Sequence, residues 1–420
     1  MRSNRKVKCF CILPFLCFIL SGCGAKEALE QLQEAIERKD ADTAKEQEYV
    51  SISDLERLAA NNAWREDAAK AVCFETDWHD TYAYDSLTET ESIWYEDINL
   101  LLSTHYEGSI QLAGEGIEAG LTEENLDKIY QCVLTDHPEY FYVTGYEYTK
   151  YISMGKLLGI EVTASYNVDL QESILRKEQI EAATDKLLEQ APVDASDYDK
   201  IKYVYETIIY HTEYDLNAPD NQNIYSVFVG KASVCQGYAK ATQYLLGKLG
   251  VDCTLVQGMV GSGEGHSWNM VKSDEEYYYV DTTWGDASYT AMEELPEAEV
   301  SLEINYYYLC VTTAQIFQTH IPEPEIVLPD CTATKDNYYI REGCYFYTYD
   351  EEQLKREFAE ASAETQRGVT IKCDSEGVYQ EFYSELIENQ RVFEYLPDNQ
   401  EQIAFVQDEQ QLSMTFWVTK

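Results

Sequence analysis

ASVCQGYAKATQYLLGKLG, Ala232 to Gly250, sets one cysteine between a short apolar lead-in and the residues Tyr238, Ala241, Leu245, Leu246 and Leu249, spaced three and four apart. That period is a helix with one buried stripe, and Gly250 stands where a C-terminal stop is expected. Cys235 then falls at the helix N-terminus, where unpaired backbone N–H groups and the positive end of the dipole favour a thiolate. A lone cysteine before a helix is more often a core thiol, and an exported chain also permits a disulfide. The residues downstream weigh between these readings.

Downstream runs GSGEGHSWNMVKSDEEYYYVDTTWGD, in which two strand-like runs flank the polar turn SDEE. This is a hairpin signature. With an even-length loop, His266 and Asp281 fall on the same face of the strand pair, opposite or one diagonal apart. A thiolate at a helix N-terminus, a histidine that accepts and returns the proton, and a carboxylate that fixes the tautomer make up nucleophilic acyl-transfer machinery. Each residue alone has a blander fate, in a core or at a strand end. Their order along the chain is what points to chemistry.

These stretches resemble the transglutaminase-like superfamily, whose core carries a papain-like Cys-His-Asp arrangement. The resemblance rests on VCQGYAKATQYLLGKLGV (Val234–Val251), GHSWNMVK (Gly265–Lys272) and YYYVDTTWGD (Tyr277–Asp286), with DHPEYFYV (Asp136–Val143) similar to the segment that precedes the core in bacterial lipoproteins of the family. It implies Cys235 as nucleophile, His266 as general base and acid, and Asp281 as the residue that orients it. It also implies an α+β fold, with an N-terminal helix bearing the cysteine and an antiparallel sheet bearing the histidine and aspartate, flanked by smaller α+β domains. Gln222 and Tyr214 are candidate oxyanion donors, and Trp268 and Trp284 candidate walls of the cleft. No cofactor is required by this chemistry, and no HExxH or paired Cys/His spacing marks a metal.

The 420 residues are enough for two or three domains, and 35 tyrosines and 13 phenylalanines supply the apolar surface for their cores. Arg2, Arg5, Lys6 and Lys8 precede the apolar run CFCILPFLCFIL (Cys9–Leu20), which reads as an export leader. The following Leu20-Ser21-Gly22-Cys23 resembles the bacterial lipobox, which implies lipidation of Cys23 and an extracytoplasmic, membrane-anchored protein. The formal charge of −45 repels polyanions, so nucleic acid is not an expected partner.

The organisation expected is a leader over residues 1–22, a helical tether over 23–52, an N-terminal α+β domain over 53–191 and the catalytic core over 192–320. A Pro-rich linker over 321–335 and a small α+β domain over 336–420 follow. Two functions are carried forward. One is a lipid-anchored thiol enzyme acting through a Cys thioester on peptide or protein amides, as a cysteine peptidase, amidase or transglutaminase. The other is a catalytically silent binding or scaffolding lipoprotein at the cell surface that holds a peptide or wall component in the same cleft.

Overall fold

A computed structural model of the chain describes residues 6–11, 44–47, 74, 82–153, 156–261, 263–286, 304–323, 326–363, 368–396 and 402–417. Cys23 and the expected tether helix lie outside the described residues. Two short strands are described ahead of the body. β1 (Lys6–Cys11), within the segment read as leader, runs parallel to residues 402–407, and β2 (Ala44–Gln47), within the expected tether, runs parallel to residues 148–151.

Two capped helices open the N-terminal part. Thr88 starts α1 (Glu89–Ser103) with a reciprocal capping box to Glu91, and Thr122 starts α2 (Glu123–Asp136) in the same way with Asn125. Between and after them lie β3 (Ser109–Gln111), β4 (Val143–Ser153) and β5 (Lys156–Tyr166). They join β2 in a sheet of order β2-β4-β5-β3. The alternation read in GIEVTASYNV shows in β5, where Ile160, Val162 and Ala164 are buried.

α3 (Leu170–Leu188) and α4 (Asp197–His211) lead into a two-stranded parallel pair, β6 (Glu213–Tyr214) with β7 (Ala232–Ser233). Next come α5 (Cys235–Lys248), β8 (Cys253–Val260), β9 (Gly265–Ser273) and β10 (Glu276–Val280). Gly250 follows α5 at φ 73°, a left-handed position that suits glycine at a helix stop. β11 (His320–Pro322) completes an antiparallel sheet of order β10-β9-β8-β11. The β9–β10 connection is tighter than the SDEE turn suggests. Ser273 pairs with Glu276, leaving Asp274 and Glu275 at φ 48° and 69° as a two-residue turn. The loop stays even in length, so positions 266 and 281 share a face.

Apolar packing joins the first two expected domains. One cluster runs from Trp94, Leu126, Tyr142 and Ile160 through Val204, Tyr205 and Leu245 to Val271 and Tyr278. Gln243 of α5 donates across the same boundary to the carbonyl of Thr135 at 2.7 Å. The expected linker begins inside the sheet, since β11 pairs with β8, and Ile326 and Cys331 are buried. The C-terminal part has its own core of Phe346, Leu354, Phe358, Ile371, Phe382, Phe405 and Phe416. It is built from β12 (Tyr345–Phe346), α6 (Glu351–Ala363), β13 (Gly368–Cys373), α7 (Glu376–Tyr383), β14 (Gln402–Asp408) and β15 (Ser413–Trp417). The described chain is therefore α+β throughout.

Candidate functional site

The site forms where the open end of the β8–β11 sheet meets the start of α5. Asp281 leaves β10 and caps the short helix Thr282–Gly285, its Oδ1 accepting from the backbone N–H of Thr283 at 2.9 Å and of Trp284 at 3.1 Å. Its Oδ2 faces two imidazoles. His266 Nε2 from β9 lies 2.7 Å away, and His320 Nε2 from β11 lies 2.9 Å away. Asp281 is 0% exposed, so all four of these contacts replace solvent for a buried carboxylate. Burial alone would raise its pKa, but the charge and hydrogen bond of His266, followed by those of His320, hold it below the usual carboxylate range.

The two histidines reach one carboxylate because of the strand register. His266 pairs with Gly258 of β8, and Gly258 pairs on its other side with Pro322 of β11. Positions 266, 258, 322 and 320 therefore share a face, and the rings of His266 and His320 lie 5.2 Å apart. Trp268 stacks along His266 at 6.0 Å and meets His320 edge-on at 4.9 Å, while Trp284 lies 4.8 Å from His320 and 5.2 Å from Tyr308. Among the described residues neither indole Nε1 has a hydrogen-bond partner.

α5 packs on this sheet, with Asn269 Nδ2 of β9 donating to the carbonyl of Ala239 at 3.0 Å. Cys235 is its first residue, partly exposed and free; no disulfide takes it. Burial would lower the pKa of His266. The Asp281 carboxylate, and after it a hydrogen bond with the Cys235 side chain, more than offset this and raise it to about 10. Tyr214 turns its ring toward Tyr238 at 6.2 Å, and Gln222 is exposed in the turn before α5.

Residues 186–282 match the model of the transglutaminase-like superfamily. The mouse (Mus musculus) kyphoscoliosis peptidase is 24% identical over 144 residues, which cover 30% of this chain and 21% of that protein. The chain thus spans about a fifth of that curated relative's length. Among solved structures, a TGase is 16% identical over 37% of this chain and 48% of its own, with a TM-score of 0.25. The periplasmic domain of TgpA from Pseudomonas aeruginosa is 16% identical over 31% of this chain and 55% of its own, with a TM-score of 0.21.

The transglutaminase-like fold is supported, but the site expected within it is corrected. Among the described residues, the titratable groups that converge within 4.8 Å of one another are His266, Asp281 and His320, and none is a cysteine. A second imidazole shares Asp281 Oδ2 with His266, and Cys235 reaches His266 from outside this group. The cysteine-bearing helix and the His/Asp sheet are therefore not joined as one triad cluster. The readings built on that triad, namely Cys-thioester acyl transfer by a cysteine peptidase, amidase or transglutaminase, are corrected with it.

His320 is the residue the sequence reading missed. It lies beyond the stretch the family model matches and beside the prolines taken for a linker. Its neighbours give no alternation to find it by, since in Thr319-His320-Ile321-Pro322 the histidine is buried and the isoleucine exposed.

Proposed function

We propose that the chain is an exported, lipid-anchored binding or scaffolding protein, built on a transglutaminase-like core whose cleft holds a peptide segment of a surface or wall component. The observation that carries this reading is the His266–Asp281–His320 cluster, in which a second histidine completes the buried group and no cysteine is among the converging ligand atoms. The leader-like start and the Leu20-Ser21-Gly22-Cys23 stretch support export and anchoring. Cys235, partly exposed at the start of α5, and the half-buried Trp284 edge the site where a peptide segment would lie.

The test is co-sedimentation of the purified chain with cell-wall sacculi, beside Cys235→Ala. Equal retention of both proteins, with no peptide cleaved and no amine incorporated, is the expected result. Failure of the wild type to sediment would remove the reading. So would a hydrolysis or amine-transfer activity that Cys235→Ala abolishes.

A further inference from the structure

We propose that His266, Asp281 and His320 form a binding site for a first-row divalent metal ion. The inference concerns the same cluster but does not depend on partner capture, because the ligand atoms stand whatever the cleft holds.

Two imidazole nitrogens and one carboxylate oxygen already converge. With metal–ligand bonds of about 2.0–2.1 Å, the 2.7 Å and 2.9 Å contacts to Asp281 Oδ2 subtend roughly 80–90° at an ion placed between them. Those angles suit neighbouring positions of an octahedral or five-coordinate shell for the carboxylate with each imidazole, and the three ligand atoms all lie within 4.8 Å of one another.

The atoms behind the ligands are equally set. Asp281 Oδ1 is held by two backbone N–H groups, which fixes the carboxylate plane. His320 Nδ1 lies 2.7 Å from Thr319 Oγ1, and that hydroxyl also reaches the carbonyl of Ile316 at 3.4 Å. When a metal takes Nε2, the imidazole proton sits on Nδ1 and is donated to Thr319 Oγ1, whose own proton turns to Ile316. His266 has its second partner in Cys235. Each histidine can thus release its Nε2 proton to solvent as a metal takes its place and keep its other nitrogen bonded, the usual support for a ligating histidine. Trp268, Trp284 and Tyr308 wall the cluster with apolar surface, which keeps competing water away.

The charge balance points the same way. The buried Asp281 carboxylate attracts a cation, which takes the place of the proton that His266 carries, and imidazole with carboxylate suits first-row divalent ions rather than calcium or magnesium.

The purified full chain, stripped with a chelator, is titrated with Co2+ and followed by visible absorption and X-ray absorption at the cobalt edge. One Co2+ per chain is expected, with two imidazole ligands and no thiolate-to-cobalt charge-transfer band. His320→Gln is expected to weaken binding at least tenfold. Absence of stoichiometric uptake by the wild type overturns the site. So do unchanged affinity in His320→Gln, and a thiolate band that disappears with Cys235→Ala. Should His320→Gln fail to fold, the ligand count on the wild type decides alone: fewer than two imidazoles refutes the assignment.

Discussion

Trp268 fills the space that Gly258 leaves open. A Cβ at position 258 would lie 2.9 Å from Trp268 Cη2 and 2.2 Å from the backbone oxygen of Ile321. The glycine is required by close approach, because β8 must pass between β9 and the edge strand that carries His320. Gly258→Ala is expected to push β11 away and cost about 1–3 kcal/mol, the range for overpacking against backbone. Urea unfolding measures the cost, and a change under 0.5 kcal/mol would show that β11 yields freely. The same variant should shift the NMR signals of His320 more than those of His137.

Asp136 is a second buried carboxylate, in the DHPEYFYV segment, and its titration reaches stability. It accepts from the N–H groups of Ala83 and Tyr84 and from the Tyr95 hydroxyl at 2.9–3.0 Å. Burial nevertheless dominates and raises its pKa to about 6. The folded state therefore binds the proton more tightly than the unfolded chain, whose aspartate titrates near about 3.9. The stability gained from this proton is fully present below about pH 4 and lost as pH rises through about 6. Asp136→Asn should flatten that decline by on the order of 2–3 kcal/mol. Urea midpoints of both proteins at pH 4 and pH 6.5 provide the comparison, and parallel changes would contradict it.

Much of the fold was legible because its signals are local. The three-and-four spacing after Cys235, the glycine that ends the helix and the even loop between His266 and Asp281 each follow from neighbours in sequence. His320 was not legible, since its place depends on a strand of three residues reaching across β8 from beyond the hairpin. The shared core of the N-terminal part and the central sheet was hidden for the same reason: Gln243 meets Thr135 across more than a hundred residues. Periodicity marks which face of an element is apolar, but it does not name the partner that covers it.

Tyr238 ties α5 to the chain on either side of the site. Its single hydroxyl lies 2.9 Å from both the carbonyl of Thr212 and Asp286 Oδ2, in a buried position. Tyr238→Phe keeps the ring and removes a donor to a buried carboxylate, so a loss of about 1.5–3 kcal/mol is expected. Thermal unfolding at neutral pH tests it. An unchanged midpoint would mean that the other contacts of Asp286 suffice.

Asp281→Asn probes the cluster without its charge. The carboxylate presents acceptors on both oxygens, to two backbone N–H groups on one side and two imidazoles on the other. An amide offers one acceptor and one donor, so whichever way it turns, its Nδ2 faces two groups that now donate. If Nδ2 meets the imidazoles, both rings must change tautomer or lose their bond. If it meets the backbone, two buried N–H groups are orphaned. Either outcome also leaves the His266 imidazolium without its counter-charge. In the presence of a chelator the variant should lose about 3–5 kcal/mol, the penalty for removing one partner of a buried ion pair. His320→Ala, which removes one of the four donors, should lose about 1–3 kcal/mol under the same conditions. Urea unfolding of both variants ranks them. If Asp281→Asn proves the milder change, the carboxylate is not the centre of the site and the imidazoles are held by packing against Trp268 and Trp284.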